Sequence, residues 1–156
     1  MIINVDADEE AWAAVLPDAG KIAVSAANAA VRFLGKDLGG SALEIVLATD
    51  EEVAELNGQW RGKPKPTNVL SFPAASDIVV PPGEPRPLGE IILAAGVVAR
   101  EAAEQSKSPA DHFTHLVVHG FLHIMGYDHE VEAEADRMER LETEVLAQMG
   151  IANPYD

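Results

Sequence analysis

Residues 108–126 read SPADHFTHLVVHGFLHIMG, and the residue types at both ends mark a helix. Ser108 fits the N-cap, Pro109 the first helical position, Asp111 the acidic third position and Gly126 the C-terminal stop. On such a helix His119 and His123, four apart, share one face about one turn from each other, so two imidazoles can meet one ion. A left-handed glycine at 126 lets the chain double back, so that His129 reaches the same point. The spacing His-x3-His-x5-His then offers three nitrogens and leaves a fourth position for water, the usual arrangement of catalytic zinc. A lone histidine is more often a core residue bonded to its neighbours. Three at ligand spacing around a helix-ending glycine, with only His112 and His115 besides them in the chain, point to a metal.

His115 lies on the same face one turn earlier. Three ligands in a row on a straight helix would span about 12 Å, too far for one ion with bonds of about 2 Å. His115 is therefore expected to support the ligands from behind. Asp128 is a candidate to hold a ligand imidazole by its second ring nitrogen, a common outer role, with an exposed turn aspartate as the alternative.

Outward from this helix, IINV (2–5), LEIVLA (43–48), NVLSF (68–72) and GEIIL (89–93) read as strands from their β-rich or alternating composition. Helical patterns cover 21–35, stopped at Gly35, then 49–58 with a cap at Thr49 or Asp50 and a stop near Gly58, and 94–105. A closing helix from about Glu132 to Met149 has Met138, Leu141, Val145 and Met149 as its expected buried stripe. Residues 73–87, with five of the ten prolines, read as an irregular loop. The expected architecture is α+β, a small mixed four-stranded sheet packed with helices, in a single domain over 1–156.

Composition narrows the chemistry. Of 156 residues, 47% are hydrophobic and 24% charged, a globular balance. There is no cysteine, so any metal is held by nitrogen or oxygen, and disulfides are excluded. The N-terminus MIINVDADEEAW carries acids where a secretion signal needs a basic start and an apolar run. IILAAGVVA (91–99) is about half of the roughly 20 residues that cross a bilayer. A cytoplasmic protein without a membrane span is expected. The net charge of −15 repels nucleic acid on average, but residues 58–73, GQWRGKPKPTNVLSFP, hold Arg61, Lys63 and Lys65 with no acid. This island is either a solvated loop or an anion-attracting patch. The low aromatic content shows no row of rings for stacking bases.

HGFLHIMGYDH (119–129) has the skeleton of the extended zinc-protease pattern His-Glu-x-x-His-x-x-Gly-x-x-His, with Gly120 where the proton-carrying glutamate belongs. Peptide hydrolysis is disfavoured. Phosphodiester cleavage fits better, because a phosphoryl oxygen or nearby hydroxyl can share the proton work and an arginine fork matches a phosphate.

HLVVHGFLHIMGYDH resembles the signature of the YbeY family of metal-dependent endoribonucleases, also called ribosomal RNA maturation factors. LNGQWRGKPKPTNVLSFP, LGEIIL and the tail EADRMERLETEVLAQMGIANPY are similar to further blocks of that family, from about Leu43 to Tyr155. The resemblance implies a zincin-like α+β fold, one zinc on His119, His123 and His129, and an essential arginine at Arg61. Lys63 and Lys65 become candidates for substrate binding. It also implies single-strand-specific RNA cleavage in small-subunit ribosomal RNA 3′-end maturation and ribosome quality control, with RNA and the ribosome or its proteins as partners and DNA not expected. Asn68 and Glu90 depart from aspartates of the family pattern. The alternatives are a zinc metallopeptidase and a non-catalytic ribosome assembly factor whose metal staples the fold.

Overall fold

The computed structural model describes residues 1–128 and 130–156. Among them the chain forms four strands and six helices in the order β1 (Ile2–Ala7), α1 (Glu9–Ala13), α2 (Ala19–Leu34), β2 (Ser41–Ala48), α3 (Asp50–Arg61), β3 (Val69–Pro73), β4 (Arg86–Ala94), α4 (Ala95–Glu104), α5 (Pro109–Ile124) and α6 (Glu132–Gln148). The sheet order is β1-β2-β4-β3. β1, β2 and β4 run parallel, and β3 pairs antiparallel at the β4 edge. The fold is α+β with a mixed four-stranded sheet, as expected from strands concentrated early in the chain and helices late.

Period-two alternation sends the strand side chains to two cores. Leu43, Ile45, Leu47, Ile91 and Leu93 join α2, α5 and α6 in the larger core. Ala48, Leu70, Ile92 and Ala94 face the opposite way and pack with Val53 of α3. α2 presents six buried alanines, and these small side chains let it lie close against α5. α5 is buried through Phe113, Leu116, Val117, Val118, Phe121 and Leu122, each such side chain contributing about 1.5–3 kcal/mol when fully buried. Trp12 of α1, a helix the sequence patterns did not predict, packs edge-on against Phe113 at 5.2 Å. Its indole N–H donates to the Ala48 carbonyl at 2.9 Å.

Two boundaries and one buried stripe differ from expectation. β4 begins at Arg86, inside the proline-rich stretch. Pro87 is tolerated because β3 pairs only with Gly89–Leu93, leaving no strand on that side to receive its missing N–H. α3 runs through Gly58 to Arg61 and ends at Gly62, whose φ of 67° is the left-handed stop. Gly58 instead permits a close approach, since a Cβ there would lie 3.2 Å from the Pro64 Cβ. On α6, Glu142 and Leu146 are buried with Met138 and Val145, while Leu141 and Met149 are only half-buried. Among the described residues no helix is long and apolar enough to cross a membrane.

Candidate functional site

The histidine helix α5 begins as its residue types dictate: Ser108 accepts from the Asp111 N–H, with Pro109 in the first turn. At the other end Gly126 adopts φ 96°. The Gly126 N–H donates to the His123 carbonyl and the Tyr127 N–H to the Leu122 carbonyl, both at 3.0 Å. That pair of bonds is the Schellman stop, which turns the chain sharply after Ile124. His119 and His123 lie one turn apart with ring centroids 4.7 Å from each other, nearly perpendicular, and both line a cleft of about 680 Å³. His129, the third nitrogen of the spacing, lies outside the described residues. Among the described residues no group of three ligand-type side chains is arranged to hold a metal ion.

Behind His119 sits Glu142 of α6, whose side chain is fully buried. Its Oε1 lies 2.7 Å from His119 Nδ1 and 3.1 Å from His115 Nε2, and its Oε2 accepts from the Tyr155 hydroxyl at 2.7 Å. Burial alone would raise this carboxyl. Donation from His115 and His119, the charge of His119 and donation from Tyr155 outweigh burial and hold it at about 2. Burial, together with the neighbouring Glu142 charge, pushes the Tyr155 phenol above its ordinary 10, so the phenol stays a donor. An ionised carboxylate only accepts, so Nδ1 of His119 carries the proton, and Nε2 is the nitrogen suited to a metal. His115 contacts Glu142 and Tyr155 and does not line the cleft.

Arg61 and β3, from Val69 to Pro73, form other parts of the cleft wall, and Tyr127, Asp128 and Glu130 line it beyond the α5 stop. Arg61 belongs to the last turn of α3 rather than to a basic loop. Two bonds hold the following segment against that turn: the Lys63 N–H donates to the Asn57 carbonyl at 3.2 Å, and Asn57 Nδ2 to the Lys65 carbonyl at 3.0 Å. Lys63 and Lys65 are exposed there and are not among the cleft-lining residues. Asp128 lines the cleft, half-buried.

At the cleft's end Asn68 donates to Glu101 Oε1 at 3.0 Å, and the same oxygen meets His112 Nε2 at 2.8 Å. His112 is thus a buried partner of Glu101, away from the other histidines' carboxylate. An amide at 68 can donate to Glu101, whereas a second carboxylate would repel it. Glu90 pairs with Phe72 across the β3–β4 ladder, outside the cleft lining. Gly120 faces the sheet, where a Cβ would come within 2.9 Å of both Ile91 Cγ2 and Ser71 Oγ. A glutamate there, as in the peptidase pattern, has no room unless the Ile91 and Ser71 side chains shift.

Glu142, Tyr155 and Glu101 were not foreseen as members of this constellation. For Glu142 a signal exists: it stands four residues after Met138 and four before Leu146, an acid on the apolar face of a helix. Tyr155 and Glu101 sit in segments with no comparable mark.

A mixed sheet crossed by a histidine-bearing helix, with a polar cleft between that helix, an edge strand and an arginine, defines an α+β protein with two imidazoles facing one cleft. The family model described as Endoribonuclease YbeY matches residues 5–150, and the chain belongs to that family. It is 48% identical to Endoribonuclease YbeY of Azorhizobium caulinodans, over 99% of this chain and 96% of the relative. With Endoribonuclease YbeY of Paramagnetospirillum magneticum it shares 49%, over 98% and 94%. The solution structure of TM1509 from Thermotoga maritima matches with a TM-score of 0.60 and 24% identity, over 96% of this chain and 92% of that one, and shares the fold.

Proposed function

We propose that this protein is a metal-dependent endoribonuclease that cleaves single-stranded RNA, with one zinc held by His119, His123 and His129. The observation that carries the proposal is the His119–Glu142 contact at 2.7 Å. It fixes the tautomer that turns a basic nitrogen away from the buried acid, beside a second imidazole and in a cleft that Arg61 shares. Bound zinc supplies Lewis acidity, polarising a phosphoryl oxygen and making water acidic near neutral pH. Glu142 orients His119, and His115 and Tyr155 hold Glu142. Arg61 binds the phosphate's oxygens and stabilises charge that grows on them. Lys63 and Lys65 add attraction for the strand beyond the cleft, and Asp128 supports a ligand imidazole from the turn.

Small-subunit ribosomal RNA, at its 3′ end, is the proposed substrate, met in the cytoplasm on or near the ribosome. Nothing at Gly120 favours a peptidase, because the glutamate of that chemistry would displace Ile91 and Ser71. The test is cleavage of single-stranded and duplex RNA, and of casein, by zinc-loaded protein and by His119→Ala, with zinc measured in each. RNA cleavage lost with His119→Ala is expected. Zinc-dependent casein hydrolysis without RNA cleavage would overturn the nuclease, and inertness toward both would leave an assembly factor.

A further inference from the structure

The chain has two tryptophans in opposite circumstances. Trp12 is 2% exposed with its N–H bonded, whereas Trp60 is 70% exposed. Trp60 precedes Arg61 on the last turn of α3 and leans on Phe72 of β3, ring centroids 6.3 Å apart and tilted by 56°. Phe72 and Arg61 both line the cleft. Two aromatic rings that are twelve residues apart in sequence thus make a ledge continuous with the cleft wall, beside a guanidinium and within the acid-free run 58–73 of a chain whose net charge is −15. A water-facing indole next to the one basic segment suits a ligand that presents a flat apolar face and a negative backbone together.

We infer that Trp60 and Phe72 form a stacking platform for an unpaired nucleobase of the strand whose phosphate Arg61 receives, which rests on the nuclease proposed above. Every base has a π-face, so the platform accepts any base and contributes affinity with little sequence preference. A duplex cannot use it, since its bases are already stacked on one another and paired. Preference for single strands therefore originates at this ledge as well as at the metal. The basic residues supply the salt-dependent part of binding and the rings a salt-independent part.

The test uses full-length protein in chelator, to block cleavage, titrated with a ten-nucleotide polyuridine and with an abasic phosphodiester strand of the same length. Buried Trp12 supplies a constant emission, so quenching reports on Trp60. Polyuridine should quench, and the abasic strand should not. Read by the anisotropy of a fluorescein-labelled polyuridine, which needs no tryptophan, Trp60→Ala should weaken binding about 5- to 100-fold, with an unchanged slope of log affinity against log salt and an unchanged melting temperature. Trp60→Phe should recover part of the loss, and Phe72→Leu should weaken binding in the same direction. Equal affinity of Trp60→Ala and the parent, or equal quenching by the abasic strand, overturns the platform and leaves Trp60 as a surface for a protein partner. RNA cleavage by the zinc-loaded parent is measured alongside. Cleavage without the stacking signature defeats this inference alone, whereas absence of both binding and cleavage defeats the nuclease with it.

Discussion

Glu142 holds a negative charge with no access to water, which a protein tolerates only where donors surround the carboxylate. Three do here: His115, His119 and Tyr155. Glu142→Gln keeps the volume but presents one acceptor oxygen and an NH₂ that must face a donor. Zinc affinity should fall about 10- to 100-fold, read by chelator competition, as when carboxylates behind ligand imidazoles are removed. The acid limb of stability should change as well. The folded carboxyl sits at about 2, below its ordinary 4.5, so its contribution is full above about 4.5 and is lost as pH falls through about 2. For metal-free protein that contribution is on the order of 3 kcal/mol, and urea melts of Glu142→Gln should show a flatter decline across that window than the parent.

At the scale of elements, the end of α3 decides where Trp60 and Arg61 stand. Gly62 closes this helix at φ 67°, a conformation that costs a side chain about 1 kcal/mol. Gly62→Ala should lower stability by about that amount and reduce RNA cleavage more than stability, because the turn that frays carries the arginine; thermal melts and cleavage rates measured together check this. The helix boundary also shows where sequence patterns serve and where they do not. α5 was legible because its caps are local: Ser108, Pro109, Asp111 and Gly126 act within a few residues of themselves. The strand patterns were legible because alternation is local too. Gly58 misled because its role is a contact with Pro64, six residues on, which no stop signal distinguishes from a helix end. The Glu142–His119 bond spans 23 residues and the Asn68–Glu101 bond 33. Such pairs exist only once the sheet has set the helices beside one another, and the same holds for the Trp60–Phe72 ledge that a count of aromatics could not reveal.

In the whole molecule, the cleft's parts come from opposite sides of the sheet: α5 packs in the larger core, while α3, which carries Arg61, packs in the smaller. The proposed metal side and the proposed phosphate side should therefore be separable by mutation. Arg61→Ala should keep zinc and melting temperature yet lose RNA cleavage by about 10²-fold or more, and Arg61→Lys should recover little, since a point charge does not reproduce the planar fork. Near-normal cleavage by Arg61→Ala would return the arginine to the role of a solvating charge. The buried acid behind His119 has a different consequence, for selection. Ion pairs and polar clusters in a core are often no more stable than apolar side chains of similar size, and replacing them all together is neutral or favourable by about 1–4 kcal/mol. His115→Leu, His119→Leu, Glu142→Leu and Tyr155→Phe combined should give a protein that melts at or above the metal-free parent while taking up little zinc. Selection for thermal resistance alone would erode this cluster, so its persistence in a lineage would be a record of use.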